Sequence, residues 1–423
     1  MPEAFNALDR QKTIYINGLS GKMPTIPTDL NHLEAAAKKV MAPKAFAYVA
    51  GGAGNELTIE RNRSAFKDWK IQPRMLRNVE QRDLSSELFG MKLPAPLMLS
   101  PVGVLELAHK KADLAVAEAC KNTGVPMIFS NQASVEMEKT ASAMGDTPRL
   151  FQLYWSRSND LVASLVSRAE ACGCKGIAVT LDTTMLGWRH QDLDLASLPF
   201  LEAKGIAQYY SDPVFQKLID EPMESPMSGK RSVNLQTIAS LIKMCSRYPG
   251  STLENLRSGR ALRAVQTFTA IYSRPSLTWD DLSFLRKHTK LPIILKGILH
   301  PEDAKRAVDE GIDGILVSNH GGRQVDGSVS SIEVLPDIAE AVNKQVPILI
   351  DSGIRSGADM FKAIALGADT VCIGRPFVYG LALKGAEGVE TVIRNLIADL
   401  ELNMGLAGCR SLDEIRQSEL IRS

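Results

Sequence analysis

Eight short apolar runs recur along the chain after residue 90, and amphipathic stretches separate most of them. Each run is aliphatic or β-branched and is bounded by glycine, proline or polar residues, which is typical of buried strands. The runs cover residues 95–101, 126–130, 149–154, 176–182, 292–297, 314–319, 347–351 and 370–375. The stretches with helical spacing include 112–123, 160–171, 301–310, 335–343 and 357–366. Successive strand and helix units predict an α/β protein built as a (β/α)8 TIM barrel.

A doubly wound open sheet is the alternative fold for an alternating pattern of strands and helices. Such a sheet usually has fewer strands and carries a glycine-rich turn after its first strand. No Gly-x-Gly-x-x-Gly follows residues 95–101. The pattern therefore favours the barrel.

Two parts of the chain lie outside the repeat. Residues 1–28 carry proline and glycine without periodicity, which predicts an extended arm, and helices are predicted from Asp29 to residue 50 and from 56 to 66. A long interruption follows the fourth run, and only its end, near residues 276–285, shows a helical pattern. We predict an N-terminal arm with helices over 1–90 and the barrel over 91–423. Residues 190–275 are the predicted insertion, either a lid or a tolerated surface excursion.

Composition and charge exclude several classes of protein. The chain has 423 residues, 45% of them hydrophobic, and a formal net charge of +1. This balance gives no support for nucleic acid or an anionic membrane as a partner. No apolar run reaches the length of a membrane span and the start does not resemble a signal peptide, so a cytoplasmic protein is expected. The six cysteines are scattered and the histidines show no paired ligand spacing, so we expect reduced thiols and no metal site.

The sixth run ends in two residues with complementary chemistry, His320 and Arg323. The glycine pair Gly321-Gly322 lies between them and ends the strand. A histidine can transfer a proton near neutral pH, and an arginine can hold a carboxylate by two hydrogen bonds. Together they suit proton abstraction next to an acid group. An incidental histidine on a surface loop is the alternative for these residues taken alone.

Other runs bring charged residues to the same end of the barrel, where enzymes of this fold react. Asp182 ends the fourth run and is a candidate partner for His320, and Arg189 follows it. Lys296 lies inside the fifth run, where its buried charge requires either a cofactor anion or a structural carboxylate. Arg189 and Arg323 exceed what one phosphate needs. A substrate carboxylate is the natural second anion.

The remaining strand ends predict a cofactor site. The seventh and eighth runs end in Asp351-Ser-Gly-Ile-Arg355 and Gly374-Arg375, which predict a phosphate cradle of backbone amides and arginines. The first run ends in Ser100-Pro-Val-Gly-Val104, where a flat ring could lie against the backbone. The second and third runs end in uncharged donors and acceptors, Ser130-Asn131-Gln132 and Gln152-Leu-Tyr154.

With these residues, the chain resembles the FMN-dependent α-hydroxy acid oxidase and dehydrogenase family. The resemblance runs from about Tyr48 to about Ile415, and Ser318-Asn-His-Gly-Gly-Arg-Gln324 matches the family's signature around its active-site histidine. It implies an enzyme with FMN as cofactor and a small 2-hydroxy acid and O2 as substrates. It also implies that His320 is the general base and that Asp182 holds it.

The resemblance assigns roles to the other residues at the strand ends. It implies that Arg189 and Arg323 bind the substrate carboxylate with help from Tyr48, and that Tyr154 contacts the substrate hydroxyl or the developing carbonyl. Lys296 would lie beside the N1/O2 edge of the isoalloxazine ring. The implied cofactor-binding set is Pro101, Val102, Gly103, Ser130, Gln152, Thr180, Lys296, Ser318, Asp351, Gly353, Arg355, Gly374 and Arg375.

Two departures from the family pattern point to a subclass. The family's common Pro-Thr-Ala-Met after the first strand is Pro101-Val-Gly-Val104 here, and the glycine opens space beside the flavin. Residues 192–215 of the insertion resemble lactate 2-monooxygenase, which keeps its keto acid bound so that peroxide formed in the site decarboxylates it. An oxidase that releases keto acid and hydrogen peroxide is the alternative. Members of the family are often tetramers, so a homo-oligomer, tetramer or higher, is expected.

Two readings outside this family also remain at the sequence level. One is a barrel enzyme with a phosphorylated substrate and no flavin. The other is a binding or scaffold protein that has kept the barrel, which the presence of His320, Asp182, Arg323 and Lys296 together argues against.

Overall fold

Eight parallel strands form a closed barrel at the centre of the computed structural model, which describes residues 6–221 and 234–422. The strands are β1 (Leu97–Leu99), β2 (Met127–Phe129), β3 (Arg149–Tyr154), β4 (Ile177–Thr180), β5 (Ile293–Ile298), β6 (Gly314–Val317), β7 (Ile348–Ile350) and β8 (Thr370–Ile373). Neighbours in the barrel follow chain order, and β8 closes against β1. Each predicted run contains one strand. The TIM barrel is therefore confirmed, and the open sheet was the wrong alternative.

Helices surround the barrel and extend it at both termini. They are α1 (Ala7–Leu19), α2 (Leu33–Lys38), α3 (Pro43–Ala50), α4 (Leu57–Ser64), α5 (Ala112–Thr123), α6 (Met137–Met144), α7 (Asn159–Ala171), α8 (His190–Asp194), α9 (Ala207–Tyr210), α10 (Pro213–Leu218), α11 (Leu235–Arg247), α12 (Thr252–Ser258), α13 (Arg260–Ile271), α14 (Leu282–His288), α15 (Pro301–Asp309), α16 (Ser331–Val342), α17 (Gly357–Ala365), α18 (Arg375–Leu406) and α19 (Leu412–Arg416). In the described parts of the chain, no helix combines the length and apolar composition that a bilayer span requires.

A β-hairpin closes the barrel at the amino ends of its strands. Its strands, Ser86–Leu88 and Met91–Leu93, pair antiparallel, and its apolar side chains pack against residues of the barrel interior. The interior contributors are Met98, Ile128, Leu150, Ala178, Ile294, Leu316, Leu349 and Cys372. This inner core is separate from the larger core between strands and helices. Because the interior is filled from below, a cavity can open only at the carboxyl ends of the strands.

The strand register aligns polar side chains at that upper end. Tyr154 on β3 pairs with Thr180 on β4, and Thr180 pairs with Lys296 on β5. The register of β5 against β6 then shifts at Gly297, whose φ of +105° favours glycine. A Cβ there would lie 2.9 Å from the Cβ of Asp182, so this glycine also makes room for the carboxylate.

Three sequence predictions outside the barrel were wrong. The part of the predicted N-terminal arm that is described contains α1, which Asn6 caps by accepting from the Asp9 amide. The predicted helix from Asp29 to residue 50 is broken into a 3-10 turn, α2 and α3, because Pro43 cannot continue a helix and instead starts the next one. Residues 190–275 contain α8 to α13 rather than irregular chain, although residues 222–233 lie outside the described residues.

Gly388 provides a test of packing in the outer layer. The long helix α18 kinks at Lys384 and Gly385, and the two halves approach so closely that a Cβ on Gly388 would overlap the carbonyl oxygen of Gly380. We expect Gly388→Ala to destabilise the protein by about 1–3 kcal/mol, the usual cost of overpacking. Thermal unfolding of the FMN-loaded protein measures the loss.

Gly18 in α1 is the matched control for this substitution. Outside the backbone of α1, no atom of the described residues lies within 4 Å of a Cβ added there, and the position is helical. Gly18→Ala should leave stability unchanged or raise it by about 0.5–1 kcal/mol, because alanine favours the helix. An equal effect of both substitutions would contradict the packing argument.

Candidate active site

A cavity of about 1100 Å³ lies at the carboxyl ends of the strands. It brings most of the sequence-predicted site residues together: Tyr48, Pro101, Val102, Gly103, Tyr154, Arg189, Lys296, His320, Arg323, Asp351, Gly353, Arg355, Gly374 and Arg375. The others are Ser130, Gln152, Thr180, Asp182 and Ser318, which hydrogen-bond to cavity residues or to one another. No predicted site residue lies far from the cavity.

A histidine and an aspartate form a pair at the edge of this cavity. The Nδ1 of His320 lies 2.8 Å from Oδ1 of Asp182, and the Thr183 hydroxyl donates to the same carboxylate oxygen at 2.9 Å. A carboxylate beside Nδ1 places the ring proton there, which leaves Nε2 as a proton acceptor. The backbone of His320 is left-handed, with φ +58°, and its amide donates to the Ser318 hydroxyl at 3.0 Å.

The protonation states of this pair suit a general base. Burial lowers the pKa of His320 below its ordinary value, even though the charge of Asp182 acts to raise it. Burial raises the pKa of Asp182, but the interactions with His320 and Lys296 outweigh it and hold that pKa well below its usual range. At neutral pH the aspartate is therefore ionised and the imidazole is neutral.

Lys296 is buried, with 3% exposure, and lies between two carboxylates. Its Nζ is 3.4 Å from Asp351 and 3.7 Å from Asp182, and it donates to the Ser318 hydroxyl at 2.6 Å. Burial lowers the pKa of Lys296, but the two carboxylates outweigh it, so that the net pKa is raised. The sequence left two partners open for the charge of Lys296, a cofactor anion or a structural carboxylate. The structure contains two such carboxylates, Asp182 and Asp351.

Two arginines line the cavity from the loops after β4 and β6. Arg323 donates to the carbonyls of Tyr48 and Gly51 at 2.5 and 2.8 Å, and its guanidinium lies 4.9 Å from the centre of the Tyr48 ring. Arg189 donates to Gln324 Oε1 at 2.8 Å. Burial and the charge of Arg323 lower the pKa of Arg189 to about 10, so it stays protonated. Two adjacent cations with unused donors favour a carboxylate ligand.

Two further arginines, Arg355 and Arg375, line the cavity near the N-terminus of α18. Arg375, the first residue of that helix, donates to the carbonyls of Val49, Gly51 and Gly321 at 3.0, 3.1 and 2.7 Å. Arg355 lies in the loop after β7. Burial lowers the pKa of both guanidinium groups, that of Arg375 to about 10. Two arginines and a helix N-terminus together attract an anion such as a phosphate.

Uncharged groups line the part of the cavity next to β1 to β4. Gly103 is required where the loop after β1 passes β2, because a Cβ would lie 2.9 Å from the carbonyl oxygen of Gln132. Behind it, Gln152 accepts from the Ser130 hydroxyl at 3.3 Å and donates to the Thr180 hydroxyl at 2.9 Å. A flat ring can lie on this wall, with amide and hydroxyl groups at its edge.

These features fit FMN. The Ser100 hydroxyl is buried in the cavity wall without a hydrogen-bond partner among the described residues, as expected where a polar ligand completes the site. Lys296 lines the same cavity as this flat wall and as Arg355 and Arg375. The cavity thus offers donors and a cation for a ring with carbonyl groups, and two arginines for its phosphate.

Among the cavity residues to which sequence reasoning gave no role are Thr183, Leu186, Phe200 and Tyr272. Phe200 and Tyr272 come from the insertion, and the Phe200 ring contacts the Tyr48 ring edge to face at 6.4 Å. The Leu198-Pro-Phe-Leu segment was a visible sequence signal, but nothing local showed that its aromatic ring enters the site. Ser352 accepts from the Gly321 amide at 3.0 Å and so joins the loops after β6 and β7.

The fold and the site together define a TIM-barrel enzyme that binds a phosphorylated cofactor beside a histidine and aspartate pair. Residues 37–422 match the family described as FMN-dependent dehydrogenase. The chain belongs to the FMN-dependent α-hydroxy acid oxidase and dehydrogenase family, and its cofactor is FMN. The resemblance found in the sequence is confirmed, and the flavin-free enzyme is excluded.

Individual relatives cover nearly the whole chain. An FMN-dependent alpha-hydroxy acid dehydrogenase of Penicillium citrinum is 40% identical over 95% of this chain and 92% of its own length. An L-lactate oxidase of Lysinibacillus sphaericus is 38% identical over 97% of this chain and 96% of its own. A solved mandelate oxidase with (S)-2-phenylpropionate superposes with a TM-score of 0.75 at 34% identity, covering 93% of this chain and 98% of its own.

Proposed function

We propose that this protein oxidises an S-2-hydroxy acid of the lactate type with O2. The observation that carries the proposal is the pairing of His320 and Asp182 beside Arg189 and Arg323 in one cavity. A base next to a carboxylate clamp matches the removal of a proton from an acid that bears an adjacent hydroxyl. The relatives named L-lactate oxidase support a small aliphatic side chain.

Each side chain has one task in this proposal. Arg189 and Arg323 bind the substrate carboxylate and so fix the position of the α-carbon. His320 accepts at Nε2 one of the two protons that oxidation releases, and Asp182 stabilises the imidazolium that results. Burial raises the pKa of Tyr154 to about 12, so its hydroxyl stays protonated and donates to the substrate oxygen. The two-electron chemistry is supplied by FMN when it is bound.

The cofactor contacts that we propose follow from the residues that line the cavity. Arg355, Arg375, Gly353 and Gly374 are suited to hold the phosphate, and Asp351 the ribityl chain. Lys296 provides a cation for the ring carbonyls. The ring contacts that we propose are Pro101, Val102, Gly103, Ser130, Gln152 and Thr180, with Ser318 supporting Lys296.

We further propose that the keto acid stays bound and is decarboxylated, so that lactate and O2 give acetate, CO2 and water. Phe200 and Tyr272 from the insertion line the cavity, and a covered site supports retention of the product. The space that the sequence predicted beside Gly103 is instead occupied by Gln132, so this position gives the proposal no support. The second candidate is an oxidase that releases keto acid and hydrogen peroxide, which the relatives named L-lactate oxidase favour.

One spectrophotometric experiment tests both candidates. The purified protein should show flavin absorbance that disappears when L-lactate is added without oxygen and returns in air. Acetate in place of peroxide supports the monooxygenase, whereas peroxide equal to the lactate consumed supports the oxidase. A spectrum that no 2-hydroxy acid changes would overturn the proposed activity, and (S)-mandelate extends the test to aromatic side chains.

The setting of the enzyme is also part of the proposal. All six cysteines are free, which supports a reducing compartment such as the cytoplasm. We propose a homo-oligomer, tetramer or higher. Light scattering of the FMN-loaded protein measures its mass.

A further inference from the structure

Helix α4, which precedes the barrel, contacts the loop that carries His320. The amides of Asn62 on α4 and Asn319 in the loop pair reciprocally. Asn62 Nδ2 donates to Asn319 Oδ1 at 2.8 Å, and Asn319 Nδ2 donates to Asn62 Oδ1 at 2.6 Å. Both residues are buried, with exposures of 2% and 5%. A buried pair of this kind fixes both side chains, because either amide left unpaired would be costly.

The Asn319 side chain, which precedes His320, hydrogen-bonds to backbone groups that follow His320 in the same loop. Its Oδ1 also accepts from the Gly322 amide at 3.1 Å, and its Nδ2 also donates to the Val329 carbonyl at 3.0 Å. All four hydrogen-bonding positions of this side chain are therefore used. The orientation of the Asn319 amide depends on Asn62, since among the described residues only Asn62 bonds to it from outside the loop.

The loop needs such support because its backbone is unusual. His320, Gly321 and Gly322 have φ values of +58°, +65° and +76°. A left-handed conformation is unfavourable for histidine, and it persists only where the surroundings impose it. The position of the imidazole relative to Asp182 follows from this backbone.

The same helix also contacts the loop after β7. The Asn62 carbonyl lies where a Cβ on Gly353 would be, so Gly353 packs directly against the α4 backbone. Asp326, at the far end of the His320 loop, accepts from the Asn55 amide at 2.7 Å just before α4. The side chain of Asn62 thus supports the base, whereas its backbone supports the proposed phosphate loop.

We propose that Asn62 is a positioning residue that keeps His320 in its reactive place through Asn319. The inference rests on the proposed function of His320 as the base. Because Asn62 contacts Asn319 through its side chain but Gly353 through its backbone, its substitution should slow the reaction without weakening FMN binding. A merely structural residue would instead affect both loops or neither.

Asn62→Ala and Asn62→Asp test the proposal, with Ser64→Ala as the control on the same helix. In the part of the chain that the structure describes, the Ser64 hydroxyl bonds only within α4, to the Arg61 carbonyl at 3.5 Å. We expect Asn62→Ala to lower the anaerobic reduction rate roughly 10- to 100-fold, the scale of a misplaced catalytic group, with KM and the FMN affinity of the apoprotein unchanged. Ser64→Ala should match wild type. The Asn62→Ala and Asn319→Ala double variant should be no slower than the slower single variant.

The pH dependence of Asn62→Asp gives an independent readout. An ionised carboxylate at this position faces Asn319 Oδ1 and repels it, whereas the protonated acid can donate to that oxygen as the amide does. Burial raises the pKa of such a group. The ratio of its reduction rate to that of wild type should therefore rise as pH falls, and Asn62→Ala should show no such recovery. The charged groups on the elements packed against Asn62 are Arg61, Asp68, Asp326, Glu333 and Lys362. Their own titration changes the rates of wild type and variant alike, so dividing one rate by the other removes that effect.

Asn62→Ala and Asn62→Asp each test the proposal independently, so if one of them misfolds the other still provides the test. A wild-type reduction rate in Asn62→Ala, or a ratio for Asn62→Asp that does not change with pH, would overturn the proposal. Hydrogen exchange over residues 318–330 requires no substrate and should accelerate in Asn62→Ala but not in Ser64→Ala. If wild type oxidises no 2-hydroxy acid, the proposed function fails, and the exchange rates still show whether Asn62 fixes the loop.

Discussion

Replacing His320 with glutamine is expected to slow substrate oxidation about 100- to 10,000-fold, the contribution of a positioned acid or base group. Glutamine fits the space and can hydrogen-bond to Asp182, but it cannot accept a proton. FMN should remain bound, because its phosphate is proposed to bind Arg355 and Arg375 and not His320. The measurement is the anaerobic loss of flavin absorbance at saturating substrate.

His288→Gln is the matched control, because this histidine is exposed on α14 and does not line the cavity. Its reduction rate should equal that of wild type. A near-normal rate in His320→Gln with every active substrate would remove His320 from the role of base and leave the mechanism without a proton acceptor.

In the wild-type enzyme, the dependence of kcat/KM on pH at acidic pH should report the protonation of His320. Burial lowers the pKa of His320, and the base is active when neutral, so kcat/KM should stay constant through neutral pH. As pH falls below the ordinary titration range of histidine, protonation removes the base and kcat/KM should decrease. The decrease attributable to this group should be absent in His320→Gln.

Arg323→Lys is the second substitution with a large expected effect. The guanidinium bonds to the carbonyls of Tyr48 and Gly51 and, in the proposed function, also to the substrate carboxylate. A lysine keeps the charge but has neither the planar geometry nor the number of donors to do both. The loss of a charge-assisted hydrogen bond, about 1.5–3 kcal/mol, should lower kcat/KM roughly 10- to 150-fold, mainly through KM.

Two comparisons sharpen this expectation. Arg257→Lys, an exposed position on α12, should leave kcat/KM unchanged. A carboxylate inhibitor that cannot be oxidised, such as oxalate, should bind more weakly to Arg323→Lys by a similar factor, because it uses the same clamp. Unchanged saturation by substrate and an unchanged inhibition constant would show that the carboxylate binds elsewhere.

The barrel and most of the site could be predicted from the sequence because both depend on local patterns. Apolar runs mark strands wherever they lie, and polar residues at the ends of parallel strands must meet at one rim once the barrel closes. Asp182, Lys296 and the pair His320 and Arg323 were found in this way, from three segments far apart in the chain that meet in the fold. The glycine pair after His320 similarly marked the end of a strand.

Other features depend on contacts that no local pattern encodes. Lys296 could have been balanced by a cofactor or by carboxylates, and only the register of the barrel placed it between Asp182 and Asp351. Phe200 and Tyr272 enter the cavity because of the path of the insertion. The helix α1 was missed because nearly all of its residues are at the surface, and its sequence therefore shows no apolar periodicity. The only local signal was Asn6, which caps it.

The sequence by itself thus determined the barrel, the family and the groups that can react. The tertiary structure decided how those groups are held. Asn62 and Asn319 are separated by 257 positions, yet their amides form one buried pair behind the His320 loop. Hydrophobic periodicity reflects the burial of one face of a single element, and neighbouring residues of the sequence are enough to show it. The partner of a buried polar group, in contrast, depends on which elements, distant in the sequence, pack against each other in the folded protein.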